Sequence, residues 1–287
     1  MNFEKPVFLI QNNYFDRLGR LIQPCLDFCH ANGHDFIDRS LTDEFDPDTL
    51  GVDWSKWPGV ILYGSVGWVK RCRQSSLALW AFYDPDAFAA STWVPIFGEE
   101  ALNGDGFVTD LLSLERRLVG DSHPRFHVRP DRDDKAFVGG VYDWQSWAEM
   151  ADKRRRERQS KPASDLACFV SPVKEILAEH RCWFVDGVLI DISTYRRSGS
   201  PQVERCLDLS IAGEAQRLGD IYLPVKSVVM DIAETPTGCK VIEFNPINSS
   251  GWYAADVDGL FWAMSDMIRR GRAPGQASVS ERGANRG

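Results

Sequence analysis

No apolar run in this sequence approaches the ~20 residues that a bilayer-spanning helix requires. The longest, such as Val7–Ile10 and Gly59–Tyr63, stop far short of it, so no transmembrane segment is expected. The first residues, MNFEKPVFLIQNN, lack a basic region followed by an apolar stretch and a small-residue cleavage site, and do not read as a secretory signal. The cytoplasm is the expected compartment. Cysteine pairing is missing too: Cys25, Cys29, Cys72, Cys168, Cys182, Cys206 and Cys239 are an odd number with no CxxC pair. That argues against a disulfide framework or a structural zinc site. Cys25 and Cys29 sit at helical spacing among Leu18, Leu21, Ile22 and Leu26 and read as small buried hydrophobes. His30, His34, His123, His127 and His180 fall into no metal-ligand or triad spacing, and no GxSxG marks a serine nucleophile. Positive charge is in deficit. A net charge of −8 favours solubility and disfavours a nucleic-acid partner, because phosphate binding needs clustered cations. The local exception, Lys153–Arg158 (KRRRER), fits a solvated helix face and, being close in sequence to the motifs below, also an anion patch.

What is present is a chain able to fold. Its 287 residues, 44% hydrophobic and 11% aromatic, can bury a substantial core in one large domain or two or three small ones. The first hundred residues alternate strand and helix signals: Val7–Ile10, a helix over Leu18–Ala31, a short strand Phe36–Asp38, then Val60–Tyr63. That pattern predicts a small α/β layer domain. Gly64-Ser65-Val66-Gly67 follows the last of these strands; it either permits a tight strand-to-helix turn or holds an anion on backbone N–H groups. Further on, a helix is expected near Asp110–Leu118, strands at Phe126–Arg129 and Ala136–Tyr142, a charged helix over Trp144–Gln159, and a strand Leu166–Val170. Glu179–Val185 and Val188–Tyr195 flank Asp186-Gly187, a strong signal for a two-residue hairpin turn. A helix near Gln202–Leu218 follows, then a second hairpin, Ser227–Glu234 with Cys239–Asn245, and a last helix from Val257 to Arg269. The final stretch, Ala273–Gly287, is small, polar and Gly-rich, and is expected to be disordered.

The second hairpin carries the chemistry. By strand alternation Val228, Met230 and Ile232 share one face while Asp231 and Ala233 take the other; on the returning strand Val241, Glu243 and Asn245 oppose Ile242 and Phe244. If Pro236-Thr237-Gly238 is a three-residue loop, Thr235 pairs with Cys239 and Asp231 lies across from Glu243. Opposed carboxylates repel unless a cation or proton lies between them. Asp and Glu oxygens with an Asn carbonyl suit Mg²⁺, completed by water and phosphates. The solvent-facing side of an ordinary hairpin has the same pattern, and alternation alone leaves both readings open.

The strings VVMDIAE and VIEFNPINSSGWYAAD, Val241–Asp256, resemble the C-terminal signature of ATP-grasp enzymes, in which an Asp strand precedes a Glu-x-Asn strand. Upstream, FHVRPDRDDKAFVGGVY resembles the family's phosphate-holding strand, loop and strand, with Arg129-Pro130 where many members have Lys-Pro. With AEHRCWFVDGVLIDISTYRRSG it is similar to a bacterial and phage clade of that superfamily. The match spans roughly Phe126–Asp256, and three ordered motifs are more specific than one.

The resemblance implies a Rossmann-like N-terminal (pre-ATP-grasp) α/β domain, residues 1–91, and an ATP-grasp fold of two α+β subdomains, residues 92–170 and 171–272, before the tail 273–287. It implies ATP and Mg²⁺ as cofactors, with Asp231, Glu243 and Asn245 as metal ligands. Arg129 and Lys135 would neutralise phosphate, Gly139 and Gly140 would let backbone approach it, and the Phe169–Val173 hinge, Val170 included, would meet adenine. Lys174 and Glu179 are expected nucleotide contacts, and Arg181 and Arg196 are expected to hold an anionic substrate or its acyl phosphate; surface charge is the other reading of each arginine. Trp183 reads as packing. The implied chemistry is ADP-forming carboxylate–amine ligation of an amino acid, peptide or related small molecule. A phosphotransferase and a nucleotide sensor are the alternatives on the same fold.

Overall fold

The computed structural model describes residues 4–14, 21–110, 113–114, 125–132, 137–157 and 167–271. Lys135 and the tail 273–287, both singled out above, lie outside the described residues. Three sheets organise the rest.

In the first, Val7–Gln11 (β1) runs parallel to and between Phe36–Arg39 (β2) and Val60–Tyr63 (β3). β1 is buried along its whole length, as the centre of a covered parallel sheet must be, and so reads as an unbroken apolar run. The helix after β1 starts later than expected. It occupies Gln23–Asn32 (α1), opening at Pro24, which has no N–H to leave unpaired in a first turn, and ending at Gly33 with φ 62°. Residues 15–20 lie outside the described residues. Helices Val66–Cys72 (α2) and Ala90–Phe97 (α3) follow.

The second sheet is small. Its strands are Phe107–Asp110 (β4), Phe126–Pro130 (β5), Gly140–Tyr142 (β6) and Ala167–Pro172 (β7), in the order β4-β7-β5-β6, with the helix Trp144–Glu157 (α4) beside them. The sequence does not announce β4; of the helix expected near Asp110–Leu118, Asp110 ends that strand and only Ser113 and Leu114 are described as helical. This sheet has its own core around the fully buried Trp147, against which the rings of Phe126, Phe137 and Tyr142 pack edge-on.

The third sheet is antiparallel: Ala178–Val185 (β8), Val188–Arg197 (β9), Ser200–Arg205 (β10), Val228–Thr235 (β11) and Gly238–Pro246 (β12), in the order β10-β9-β8-β11-β12. Asp186 and Gly187 both take positive φ (52° and 82°), the backbone of the expected two-residue turn. The helix predicted from Gln202 is corrected here. Residues 200–205 extend the sheet as β10, and the helix is Leu209–Ile221 (α5), started by Asp208, whose carboxylate accepts from the Ser210 N–H. Gly219 lets α5 sit close on the sheet; a Cβ there would fall 2.5 Å from Phe184.

One continuous core joins the first and third sheets. The last helix, Val257–Arg269 (α6), closes it, with Phe261 edge-on to Phe8 at 5.0 Å. β7 is shared between the two cores: Phe169 points into the large one, Cys168 and Val170 into the small one. Among the described residues no helix is long and apolar enough to cross a membrane.

Candidate active site

The hairpin of β11 and β12 does place Asp231 opposite Glu243, but by a different route from the expected loop. Thr235 pairs with Gly238, so the turn has only Pro236 and Thr237 at its tip. A bulge at Ile242 then supplies the extra residue, and the register beyond it is the predicted one. Gly238 takes φ 111°. The bulge also puts Val241 opposite Ile232 and buries it completely, where simple alternation had put it with Glu243.

Around this pair the charges interlock. Arg181 on β8 donates from Nε and Nη2 to the two oxygens of Asp231, at 2.8 and 2.7 Å. Asp231 is 1% exposed. Asn245 donates to Asp231 at 3.2 Å and to Glu243 at 3.3 Å. Glu243 in turn meets Arg129 at 3.1 Å. Arg129 stands on β5 of the small sheet, so this last contact is an ion pair between the two sheets. Burial pushes the Asp231 carboxyl above its ordinary value, although the Arg181 guanidinium pulls it back. At Glu243 burial also pushes upward, but Arg129 and Arg181 outweigh it and hold the group below its ordinary value.

A cleft of about 510 Å³ opens between the two sheets. Arg129, Gly139 and Gly140 line it from the small sheet, and Lys174, Glu179, Arg196 and Glu243 from the other side. Glu179 accepts from the Tyr195 hydroxyl at 2.7 Å and from Arg196 at 2.8 Å. Arg196 keeps 46% of its side chain exposed and Lys174 is paired with Asp105. Gly139 is a close approach: a Cβ there would lie 3.1 Å from that of Arg129.

Two expected residues stand elsewhere. Val170 is buried with Val128 in the small core, because β7 alternates and the preceding phenylalanine takes the other side; Pro172, Val173 and Lys174 line the cleft at this hinge instead. Arg181 lies beneath the cleft wall, with its guanidinium carbon 4.8 Å from the Tyr253 ring centre and 5.8 Å from that of Tyr195. Burial alone would lower its pKa, and the Asp231 carboxylate more than reverses this. Trp183 is fully buried packing. The Gly64–Gly67 turn is closed to anions: the Gly64 and Ser65 N–H groups donate to Asn248 and Gln11, Ser65 caps α2, and Asp43 lies against Gly67.

Sequence reasoning missed three contributions. His127, two residues before Arg129 on β5, lines the cleft with a buried Nδ1 that has no hydrogen-bond partner among the described residues, and burial and Arg129 lower its pKa. Tyr195 also lines the cleft, and its period-2 relation to Ser193 and Arg197 was the only available signal. The stretch after β12 is clamped to the first sheet: Tyr14 and Tyr63 donate to the Ser249 and Ser250 carbonyls, and buried Asn248 bonds to Leu62, Trp80 and Phe82.

The donor set fits a hard divalent cation. Its oxygens come from two opposed carboxylates, with an amide that can turn its Oδ1 toward them, and it contains no thiol or imidazole. Among the described residues no group of three or more His, Cys, Asp or Glu is arranged to hold a metal, in keeping with a site that counts on phosphate oxygens as well.

A cleft between a small sheet and a larger antiparallel one, with cations on one jaw and a Glu-x-Asn strand on the other, defines the ATP-grasp class. The model of an ATP-grasp domain family, the third of its clade, matches residues 98–264, more than half of the chain, and the chain belongs to that family. Solved structures agree on the fold. D-cycloserine synthetase DcsG is similar at 16% identity and TM-score 0.58, covering 91% of this chain and 99% of its own. The ATP-grasp ligase PsnB, complexed with minimal precursor, Mg and ADP, is similar at 15% identity and TM-score 0.54, covering 92% and 98%. D-alanine–D-alanine ligase from Bacillus anthracis, complexed with ATP, is similar at 13% identity and TM-score 0.62, covering 93% and 98%. No curated protein matches the chain in sequence. ATP-grasp ligases use ATP and Mg²⁺ and form C–N bonds with release of ADP.

Proposed function

We propose that this chain joins a carboxylate to an amine, on an amino acid, a peptide or a related small molecule, through an acyl phosphate. The observation that carries the reading is the convergence of Asp231, Asn245, Glu243 and Arg129 across the mouth of one cleft. Arg129 exchanges its pairing with Glu243 for the phosphates of ATP, helped by backbone at Gly139 and Gly140 and by Lys135. That exchange frees Glu243, which with Asn245 and Asp231 holds Mg²⁺. The metal supplies charge neutralisation on the transferred phosphoryl group. The Pro172–Lys174 hinge, with Glu179 and the unpartnered His127 nitrogen, faces the nucleoside.

The substrate carboxylate takes the γ-phosphoryl group and ADP leaves; the amine nitrogen then attacks the acyl carbon, the C–O bond to phosphate breaks, and phosphate and a proton depart. Arg196, half-exposed in the cleft, is positioned to stabilise the anionic centre, and Arg181 holds Asp231 in place beneath it. No covalent protein nucleophile is needed. A reaction consuming ATP suits the cytoplasm.

The test is ADP release from Mg·ATP with pooled carboxylic acids, amino acids and short peptides, followed by mass spectrometry. Substrate-dependent ADP with a new amide, abolished in Glu243→Gln, is the expected result. A stable phosphorylated product would make the chain a phosphotransferase, and tight nucleotide binding with no turnover across the pool would make it a sensor.

A further inference from the structure

Beside the nucleotide cleft is a second cavity of about 560 Å³. Its walls are apolar, from Leu21, Pro24, Val203, Trp252, Tyr253 and Val257, and come from three distant segments: the approach to α1, the edge strand β10 and the stretch after β12. Tyr253 separates it from the cleft. Its ring stacks on that of Tyr195, at 5.2 Å and 28°, and Tyr195 lines the cleft on the other side. Tyr253 holds this position from a left-handed backbone, φ 49°, which a side-chain-bearing residue adopts against its preference.

Gly251 is a second, independent sign. It is not among the glycines with positive φ, so conformation does not require it. A Cβ there would meet Leu21 at 3.7 Å and Tyr253 at 4.0 Å, both ordinary contacts with residues of the cavity wall. Any longer side chain would grow into the cavity. Glycine at this position keeps the space open.

The acidic residue lining the cavity is Asp27, exposed at its rim, where the Gln23 amide donates to it at 2.7 Å. An acidic rim suits a molecule that carries an amine and suits a carboxylate donor badly. We propose that this cavity is the specificity pocket for the amine substrate, and that it takes the apolar side chain of an amino acid or peptide whose amine turns past Tyr253 toward the cleft. The assignment rests on the ligase reading above and adds the acceptor class to it.

Binding to the full chain tests it without turnover, using L-leucinamide and glycinamide, which share an amine and lack a carboxylate. Leucinamide should bind about tenfold or more tightly than glycinamide, the effect of burying a branched side chain. Gly251→Leu and, separately, Val203→Trp should each remove that preference while leaving the affinity for Mg·AMP-PNP unchanged. Equal binding of the two amides to the wild type, no binding of leucinamide, or an undiminished preference in both variants would overturn the pocket. The nucleotide titration is read on its own: wild type that fails to bind Mg·AMP-PNP overturns the ligase reading on which the pocket depends.

Discussion

The small sheet and the large body solve the problem of stability differently. The large body carries one continuous core across two sheets, closed at its far end by a helix that returns to the first strand. The small sheet gathers eight buried residues around a single tryptophan. Its polar ties to the rest include Arg129 with Glu243, Ser171 with Asn103 and Lys174 with Asp105. A jaw held by one shared strand and a few polar contacts can move at little cost, whereas the body opposite it cannot. The difference matters for catalysis, because residues that must exchange partners belong on the loose jaw and residues that must stay fixed belong on the rigid body.

The two arginine–carboxylate pairs test that division. Arg181 and Asp231 are nearly buried, at 11% and 2% of side-chain exposure, inside the rigid body. Arg181→Met strips a buried carboxylate of its partner, and urea denaturation should show a loss of about 3–5 kcal/mol. The pair between the jaws, Arg129 with Glu243, is one-third exposed on the carboxylate side. Arg129→Met should therefore cost less than about 1 kcal/mol of stability yet lower the rate of ADP formation on the order of 100-fold, since it removes charge from the phosphates. Equal stability losses in the two variants would erase the distinction.

The rigid side was the more legible in sequence. Both hairpins of the third sheet were visible because turn chemistry and alternation are local signals, and Asp231 reached its place opposite Glu243 even though the turn was one residue shorter than expected. A bulge at Ile242 adds the residue that the loop does not, and the two errors cancel at Asp231 but not at Val241. The family's Asp and Glu-x-Asn pattern then marked the acidic trio without any need of tertiary structure. What stayed hidden depends on contacts between distant parts of the chain. Tyr14 binds Ser249 across 235 residues and Tyr63 binds Ser250 across 187; no period in either segment encodes its partner. Arg181 was expected among the substrate contacts, yet its depth depends on Tyr253, 72 positions away, lying across it.

Glycines sharpen the same contrast with smaller effects. At Gly219 a methyl group would press into Phe184 at 2.5 Å within the large core, so Gly219→Ala should destabilise the protein by about 1–3 kcal/mol. Gly140 on the jaw has nothing nearer than 3.9 Å and no positive φ, and Gly140→Ala should leave the urea midpoint within the narrow range of a surface change, about 0.5 kcal/mol. Its effect, if Gly140 approaches phosphate, should appear in the KM for ATP. A Gly140→Ala protein as unstable as the Gly219 variant would mean that the jaw is packed as tightly as the body.

The smallest effect concerns protons. His34 and His180 in the large body and His127 in the cleft are all held below the ordinary histidine value, in each case first by burial. A histidine buried neutral adds nothing to stability while the unfolded chain is also neutral. As pH falls through about 6.5 the unfolded chain takes up protons that the folded one refuses, and stability declines until the folded pKa is passed. The urea midpoint should thus be level above about pH 7 and fall between there and pH 5. His127→Asn should reduce that slope by its own share only, because His34 and His180 remain to titrate in the rigid body. If the slope vanished in that one variant, the acid sensitivity would belong to the jaw alone and the two histidines of the large core would have to be charged without cost, which their burial forbids.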